Sequence, residues 1–248
     1  MYSLYRHSYI RVNKKEQQTG VDIAINMGCN LKSSEVGRVL SKEYPSIYFA
    51  VGFHPSDAND FNNDSIDKLR GLTLDNKCVA IGEIGLDYYW EPYDEIKQKE
   101  CFISQIELAG ECNLPICVHS RNATADMIKV LKENKAKLTN GGVIHCFSGS
   151  VETAREFLNL GFYISFAGPI TFKNANALLD VAKFVPVDKC LTETDSPYLA
   201  PHPLRGTVNS PKNVPIITAK LASLKGIELT ECANAVMKNA KTLFRKLI

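Results

Sequence analysis

The chain has 248 residues, 45% of them hydrophobic and 23% charged, with 15 Gly and 11 Pro spread along it rather than pooled in a linker. That length suits one α/β barrel of about 250 residues or two smaller domains, and the composition permits a large buried core. A formal net charge of +2 excludes a protein that coats long nucleic acid through a basic stripe, so any nucleic-acid contact is expected to be local.

The first twenty residues carry no apolar h-region and no small-residue cleavage site, and no stretch of the chain approaches the roughly 18 apolar residues of a membrane span. A soluble, cytoplasmic protein is expected. From residue 22 onward short β-rich runs recur. Asp22 to Met27, Tyr48 to Phe53, Val79 to Ile84, Ile116 to His119, Val143 to Phe147, Phe162 to Phe166 and Lys189 to Thr194 are the predicted strands. Stretches with helical spacing lie between them. In the longest, Asp94 to Cys112, the residues Phe102, Ile106 and Ala109 share one stripe, while Lys97, Lys99, Glu100, Gln105 and Glu107 fall on other faces. The last segment, Leu229 to Leu247, opens with Thr230 and Glu231 as start signals and reads as a closing helix with Cys232, Val236, Ala240, Leu243 and Phe244 on its apolar side.

Strands alternating with helices of this length predict right-handed βαβ units and a parallel sheet, open or closed into a barrel. No GxGxxG follows the first predicted strand, so the dinucleotide-binding version lacks its usual signature. No internal linker, repeat or low-complexity tract interrupts the pattern, which predicts one domain. The eight cysteines form no CxxC pair, and Cys117, Cys146 and Cys190 lie inside apolar runs, so reduced, buried thiols are expected.

Histidines and carboxylates interrupt or end the apolar runs. His54 follows VGF, Glu83 lies within VAIGEIGLD, His119 follows ICV, His145 lies within VIHCF, and Asp195 follows LTET. Each alone has a structural explanation, as a hydrogen-bonded rim histidine, an arginine partner or a turn cap. Together they point to a site, because unpartnered charges at several strand ends are costly. In a barrel these positions meet at the C-terminal face. Two imidazoles and two carboxylates there suit a divalent cation such as magnesium, manganese, zinc or cobalt. Such an ion lowers the pKa of a bound water and polarises a phosphoryl or carbonyl oxygen. No GxSxG argues for a serine hydrolase.

At the same strand ends the sequence resembles the TatD family of metal-dependent deoxyribonucleases. The resemblance is carried, in order, by Gly82-Glu83-Ile84-Gly85-Leu86-Asp87-Tyr88-Tyr89, His119-Ser120-Arg121, His145-Cys146-Phe147-Ser148-Gly149 and the run from Glu193 to Pro201. Gly52-Phe53-His54-Pro55 and Arg205-Gly206 with Asn209 also fit. The resemblance runs from about Val21 to the C-terminus. It implies a TIM-type (β/α)8 barrel that hydrolyses DNA, often from a 3′ end, with one or more divalent metals. By the same resemblance Glu83, His119, His145 and Asp195 would be metal ligands, with Glu83 and Asp195 also catalytic. His54, Arg121 and Arg205 would contact the substrate phosphate.

The N-terminus departs from the family. Its first strand usually reads Asp-x-His-x-His-Leu, whereas Leu4 to Tyr9 here does not, and His7 lacks a partner at i+2. Residues 1–20 are therefore expected to form an atypical segment before a hydrolase barrel at 21–248, with the first strand-helix unit absent or replaced by Tyr2 to Ile10. Two alternatives stay open. A related barrel would hydrolyse an amide or ester, although neither Lys129 nor Lys173 falls at a strand end as a carboxylated ligand would. A degenerate barrel would bind nucleic acid or a partner without turnover.

Overall fold

The computed structural model describes residues 21–247. Tyr2 to Ile10 and His7 lie outside the described residues. Seven strands, β1 (Ala24–Asn26), β2 (Ile47–Val51), β3 (Cys78–Asp87), β4 (Ile116–Arg121), β5 (Gly142–Ile144), β6 (Tyr163–Phe166) and β7 (Cys190–Thr192), pair in sequence order. Every pairing is parallel, as the βα alternation predicts. The seven predicted strands are all present. β3 runs three residues further than expected, and β5 stops just before His145.

Helices lie outside the sheet: α1 (Leu31–Glu43), α2 (Asn63–Thr73), α3 (Glu95–Glu111), α4 (Thr124–Glu133), α5 (Val151–Asn159), α6 (Asn176–Phe184), α7 (Val214–Lys225) and α8 (Leu229–Leu243). Their ends follow local chemistry. Asn30 and Asn62 close capping boxes with Ser33 and Ser65, and Asp94 accepts from the N–H groups of Ile96 and Lys97 at the start of α3. Gly226 ends α7 in the left-handed conformation, at φ 66°.

The strand pleat sorts side chains into two cores. Phe49, Val51, Cys78, Ile116, Val118, Ile144, Ile164 and Cys190 face the helices in the larger cluster. Tyr48, Ala50, Val79, Cys117, Val143 and Leu191 face the other way and meet one another across the sheet. A flat sheet would keep β2 and β7 too far apart for that contact, so the sheet curls into a barrel-like trough with these residues inside. The C-terminal end of α8 and the residues after it close the trough, because Leu243, Phe244 and Leu247 pack into the same inner cluster.

Gln105 departs from the sequence reading. Placed off the apolar stripe by its polarity, it is nonetheless 0% exposed. Its Oε1 accepts from the Phe53 N–H at 2.7 Å and its Nε2 donates to the Phe53 carbonyl at 3.1 Å. Gln98, two turns earlier on α3, does the same for Asp87, bonding its N–H and its carbonyl at 2.8 Å each. One helix thus clamps the backbone beside His54 and at the end of β3. All eight cysteines are free, as expected, with Cys29, Cys112 and Cys146 only partly buried. Among the described residues no helix is long and apolar enough to cross a membrane.

Candidate metal centre and active site

The inward-facing rows of the strands continue past the hydrophobic cluster into polar residues. Two residues beyond Cys117 is His119, two beyond Val143 is His145, two beyond Leu191 is Glu193, and four beyond Ala50 is His54. The period of two that places the apolar side chains inside the trough sends these to its C-terminal mouth. Ladder-type bonds hold the backbone there. The His145 N–H donates to Val118, the Glu193 N–H to Phe166, the Glu83 N–H to Gly28 and the His54 N–H to Cys29, all at 2.8–3.0 Å.

Three donor atoms converge. Glu83 Oε1 lies 3.0 Å from His119 Nδ1 and 2.8 Å from His145 Nε2, and the two nitrogens are 3.4 Å apart. Those separations match the edges of a four- to six-coordinate site with metal bonds of about 2.0–2.2 Å, whose neighbouring donors lie about 2.9–3.5 Å apart. The far nitrogens are held by carboxylates. Asp87 Oδ2 sits 2.9 Å from His119 Nε2, and Glu193 Oε2 sits 3.4 Å from His145 Nδ1. With a cation bound, a proton shared with each outer carboxylate would leave the inner nitrogen's lone pair for the ion, the arrangement that metal-binding histidines need. The donor set of two imidazoles and carboxylate oxygens therefore fits a divalent cation.

Electrostatics gives the same account. Burial alone would push Glu83 up, but His145 and His119 hold its carboxyl well below the usual range. Burial alone would lower His145, yet Glu83 and Glu193 hold it well above the ordinary histidine value. His119 is raised in the same way against its own burial, by Asp87 and Glu83. Without a cation, protons on the histidines balance the carboxylates, and a divalent ion takes over that charge by displacing them.

The other predicted residues occupy distinct places. Asp195 follows β7 with φ 55°, and makes no hydrogen bond or ion pair with the trio among the described residues. It is nevertheless coupled to them. Burial pushes its carboxyl up to about 7, opposed by His145 and reinforced by Glu193 and Glu83. Asn209, 2% exposed, secures this loop by donating to the carbonyls of Thr194 and Tyr198, each at 2.7 Å. His54 Nε2 is 3.6 Å from Glu83 Oε1, and its ring packs edge-on against His119 with centroids 4.4 Å apart. Burial lowers His54 to about 4, against the pull of Glu83, so the ring is neutral at pH 7. Its Nδ1 accepts the Ser56 N–H at 3.1 Å, which leaves Nε2 carrying the proton and facing the cluster as a donor.

Arg121, two residues beyond His119 on the same inward row, stacks on Tyr89 with 3.6 Å from guanidinium carbon to ring centroid. The Arg205 guanidinium lies 4.1 Å over Phe172, and no hydrogen bond or ion pair joins it to the cluster among the described residues. Sequence reasoning missed Asp87 and Glu193. Both stand in the quoted segments, and each has a signal in the pleat, Glu193 two residues beyond Leu191 and Asp87 four beyond Glu83.

Comparison with known proteins agrees with this chemistry. The model for "TatD related DNase" matches residues 3–245. The uncharacterized metal-dependent hydrolase YabD of Bacillus subtilis is 47% identical over 204 residues, spanning 82% of this chain and 80% of that one. YcfH of Escherichia coli K12, also named a metal-dependent hydrolase, is 44% identical over 207 residues, 84% of this chain and 77% of its own. Among solved structures, the TatD homolog YJJV of E. coli K12 superposes with a TM-score of 0.91 at 29% identity, covering 96% of this chain and 92% of that one. A family match across nearly the whole length, relatives this similar and a shared barrel establish that the chain belongs to the TatD-related DNase family of metal-dependent hydrolases.

Proposed function

We propose that this hydrolase cleaves phosphodiester bonds of DNA, acting on single strands or strand ends as an exonuclease. The observation that carries the proposal is the triangle of Glu83 Oε1, His119 Nδ1 and His145 Nε2, with each histidine backed by a carboxylate. The family's description as a DNase supports DNA as the substrate. In this reading Glu83, His119, His145 and Asp195 hold the divalent cation. A cation there supplies Lewis acidity, lowering the pKa of a water and drawing electron density from a phosphoryl oxygen.

The remaining roles belong to the chain itself. Asp195, as a carboxylate beside the cation, orients the attacking water and accepts its proton. His54 donates its Nε2–H to a non-bridging phosphate oxygen, since Ser56 already fills Nδ1. Arg121 and Arg205 offer planar N–H edges to the phosphate, a geometry that arginine supplies and lysine does not. Glu83 and Asp195 are thus the catalytic carboxylates. All of these groups lie within the described residues 21–247. A cytosolic location belongs to the same reading and is supported by the eight unpaired thiols.

The test is metal content measured alongside hydrolysis of end-labelled single-stranded DNA, with added magnesium, manganese, zinc and cobalt in turn. Wild-type protein should release mononucleotides from one end. Glu83→Ala should lose both bound metal and hydrolysis while keeping its circular dichroism spectrum. Full activity in the Glu83→Ala protein, or a metal-loaded wild type inert toward DNA, would sink the proposal.

A further inference from the structure

β3 ends at the metal-side carboxylate Asp87, and the chain leads straight from it into three consecutive aromatic residues, Tyr88, Tyr89 and Trp90. Tyr88 is partly covered and stacks on Tyr93, with centroids 5.1 Å apart. Tyr89 and Trp90 turn outward and are 47% and 64% exposed. Burial does not explain them. Rings this large held in water at the mouth of a polar site signal a contact surface for something else.

The two rings meet at right angles with centroids 4.8 Å apart. The Arg121 guanidinium covers Tyr89 at 3.6 Å and reaches Trp90 at 5.4 Å. No carboxylate pairs with Arg121 among the described residues, so its N–H edge is available for an anion. Trp90 also lines a cleft of about 190 Å³ that Arg121 does not border. Trp90, Tyr93 and Pro55 give it apolar walls, and Asp87, Glu91 and Asp94 give it acidic ones, with no lysine, arginine or histidine in the lining. A phosphate would be repelled there. A flat, uncharged ring fits: the volume falls below the roughly 300 Å³ of pockets that take drug-sized molecules.

The cleft is also anchored to the chemistry. Asp87 in its lining bonds His119, and Pro55 follows His54. A group in the cleft therefore sits beside the metal cluster, with the cationic, anion-accepting Arg121 guanidinium 5.4 Å from the same indole. Alternating ring and phosphate sites is the pattern of a single nucleic-acid strand, and base stacking on aromatic side chains is how sequence-tolerant binders hold one.

Building on the proposed DNA hydrolysis, we infer that Trp90 is a nucleobase-stacking residue. It holds the base next to the scissile phosphate in the cleft over Asp87, while Arg121 takes a neighbouring phosphate. Trp90 is a positioning residue here, since it touches substrate but none of the reacting atoms.

Trp90 is the single tryptophan of the chain, so intrinsic tryptophan emission reports this position alone. The metal-loaded wild-type protein is titrated with a hydrolysis-resistant phosphorothioate trimer of deoxyadenosine and with an abasic trimer of equal charge. The base-bearing trimer should quench the emission saturably and the abasic one should not. In kinetics on ordinary single-stranded DNA, Trp90→Ala should raise KM about tenfold or more, with Trp90→Phe recovering most of the loss. The wild-type KM ratio between abasic and base-bearing substrates should collapse toward one in Trp90→Ala. Equal quenching by both trimers, or an unchanged KM in Trp90→Ala while the wild type cleaves DNA, overturns the stacking role alone. A wild type that neither cleaves DNA nor responds to either trimer overturns it together with the proposed function.

Discussion

Asp87 and Glu193 touch none of the reacting atoms in the proposed reaction, yet the histidines work only as these carboxylates orient them. Removing the oxygen that holds His119 Nε2 frees the ring to rotate and to take the wrong tautomer. Asp87→Ala should therefore weaken metal binding by about 10- to 100-fold, read by competition with a chelator, with the fold intact. Asp195 yields a pH prediction. Its folded pKa of about 7 lies above the usual carboxylate value, so the metal-free folded state favours the protonated acid. That penalty is absent below the unfolded pKa, grows as pH rises between the two values, and is complete above about 7. Asp195→Asn should accordingly raise the melting temperature of metal-free protein at pH 8 and leave it nearly unchanged at pH 4. A shift of equal size at both pH values would show that the carboxyl carries no such strain. Loading the wild type with metal should release protons near pH 7, because the carboxylate form is the ligand. These residues differ in how readable they were. His119, His145 and Glu83 stand out because polar groups break apolar runs, whereas Asp87 and Glu193 look like ordinary members of a polar strand end until the pleat is followed past the core.

The elements hold the site through backbone clamps. α3 shows the limit of residue-type reading. Gln98, Cys101, Phe102, Gln105 and Ala109 share its buried side, so helical spacing alone would have assigned Gln105 to the core; its polarity hid it. Gln105→Leu should destabilise the protein by about 2–3 kcal/mol in a denaturant titration, because the buried N–H and carbonyl of Phe53 lose their partners. His54, one residue on, should move with them and weaken phosphate binding. β3 and β4 depend on a glycine in a comparable way. Gly85 has φ 145°, and a Cβ there would lie 2.0 Å from the His119 carbonyl oxygen. Gly85→Ala should thus cost about 3 kcal/mol or more and displace His119, so that metal content falls with stability. The limits of α3 and α8 were legible to within a few residues, since helical spacing and start signals are local.

Across the whole molecule the inner cluster and the metal cluster are two ends of one trough. The lower end is filled by Leu243, Phe244 and Leu247 from the C-terminus of the chain, against Tyr48, Val79 and Leu191. Phe244→Ala should lower stability by about 3–5 kcal/mol while the surviving folded protein keeps its metal, because the ring lies in the closing layer rather than at the mouth. Loss of metal at unchanged stability would place Phe244 in the site instead. By itself the sequence determined the parallel α/β order, the residues that break apolar runs and the family, since all three rest on local patterns a few residues long. Only the tertiary structure decided that Glu83 meets two histidines from different strands, that Asp87 and Glu193 hold their far nitrogens and that Gln105 is buried. It also placed Trp90 beside an acidic cleft next to the cluster. Each of those facts depends on the curl of the sheet and the packing around it, which bring together residues tens of positions apart along the chain, and no short-range pattern encodes that distance.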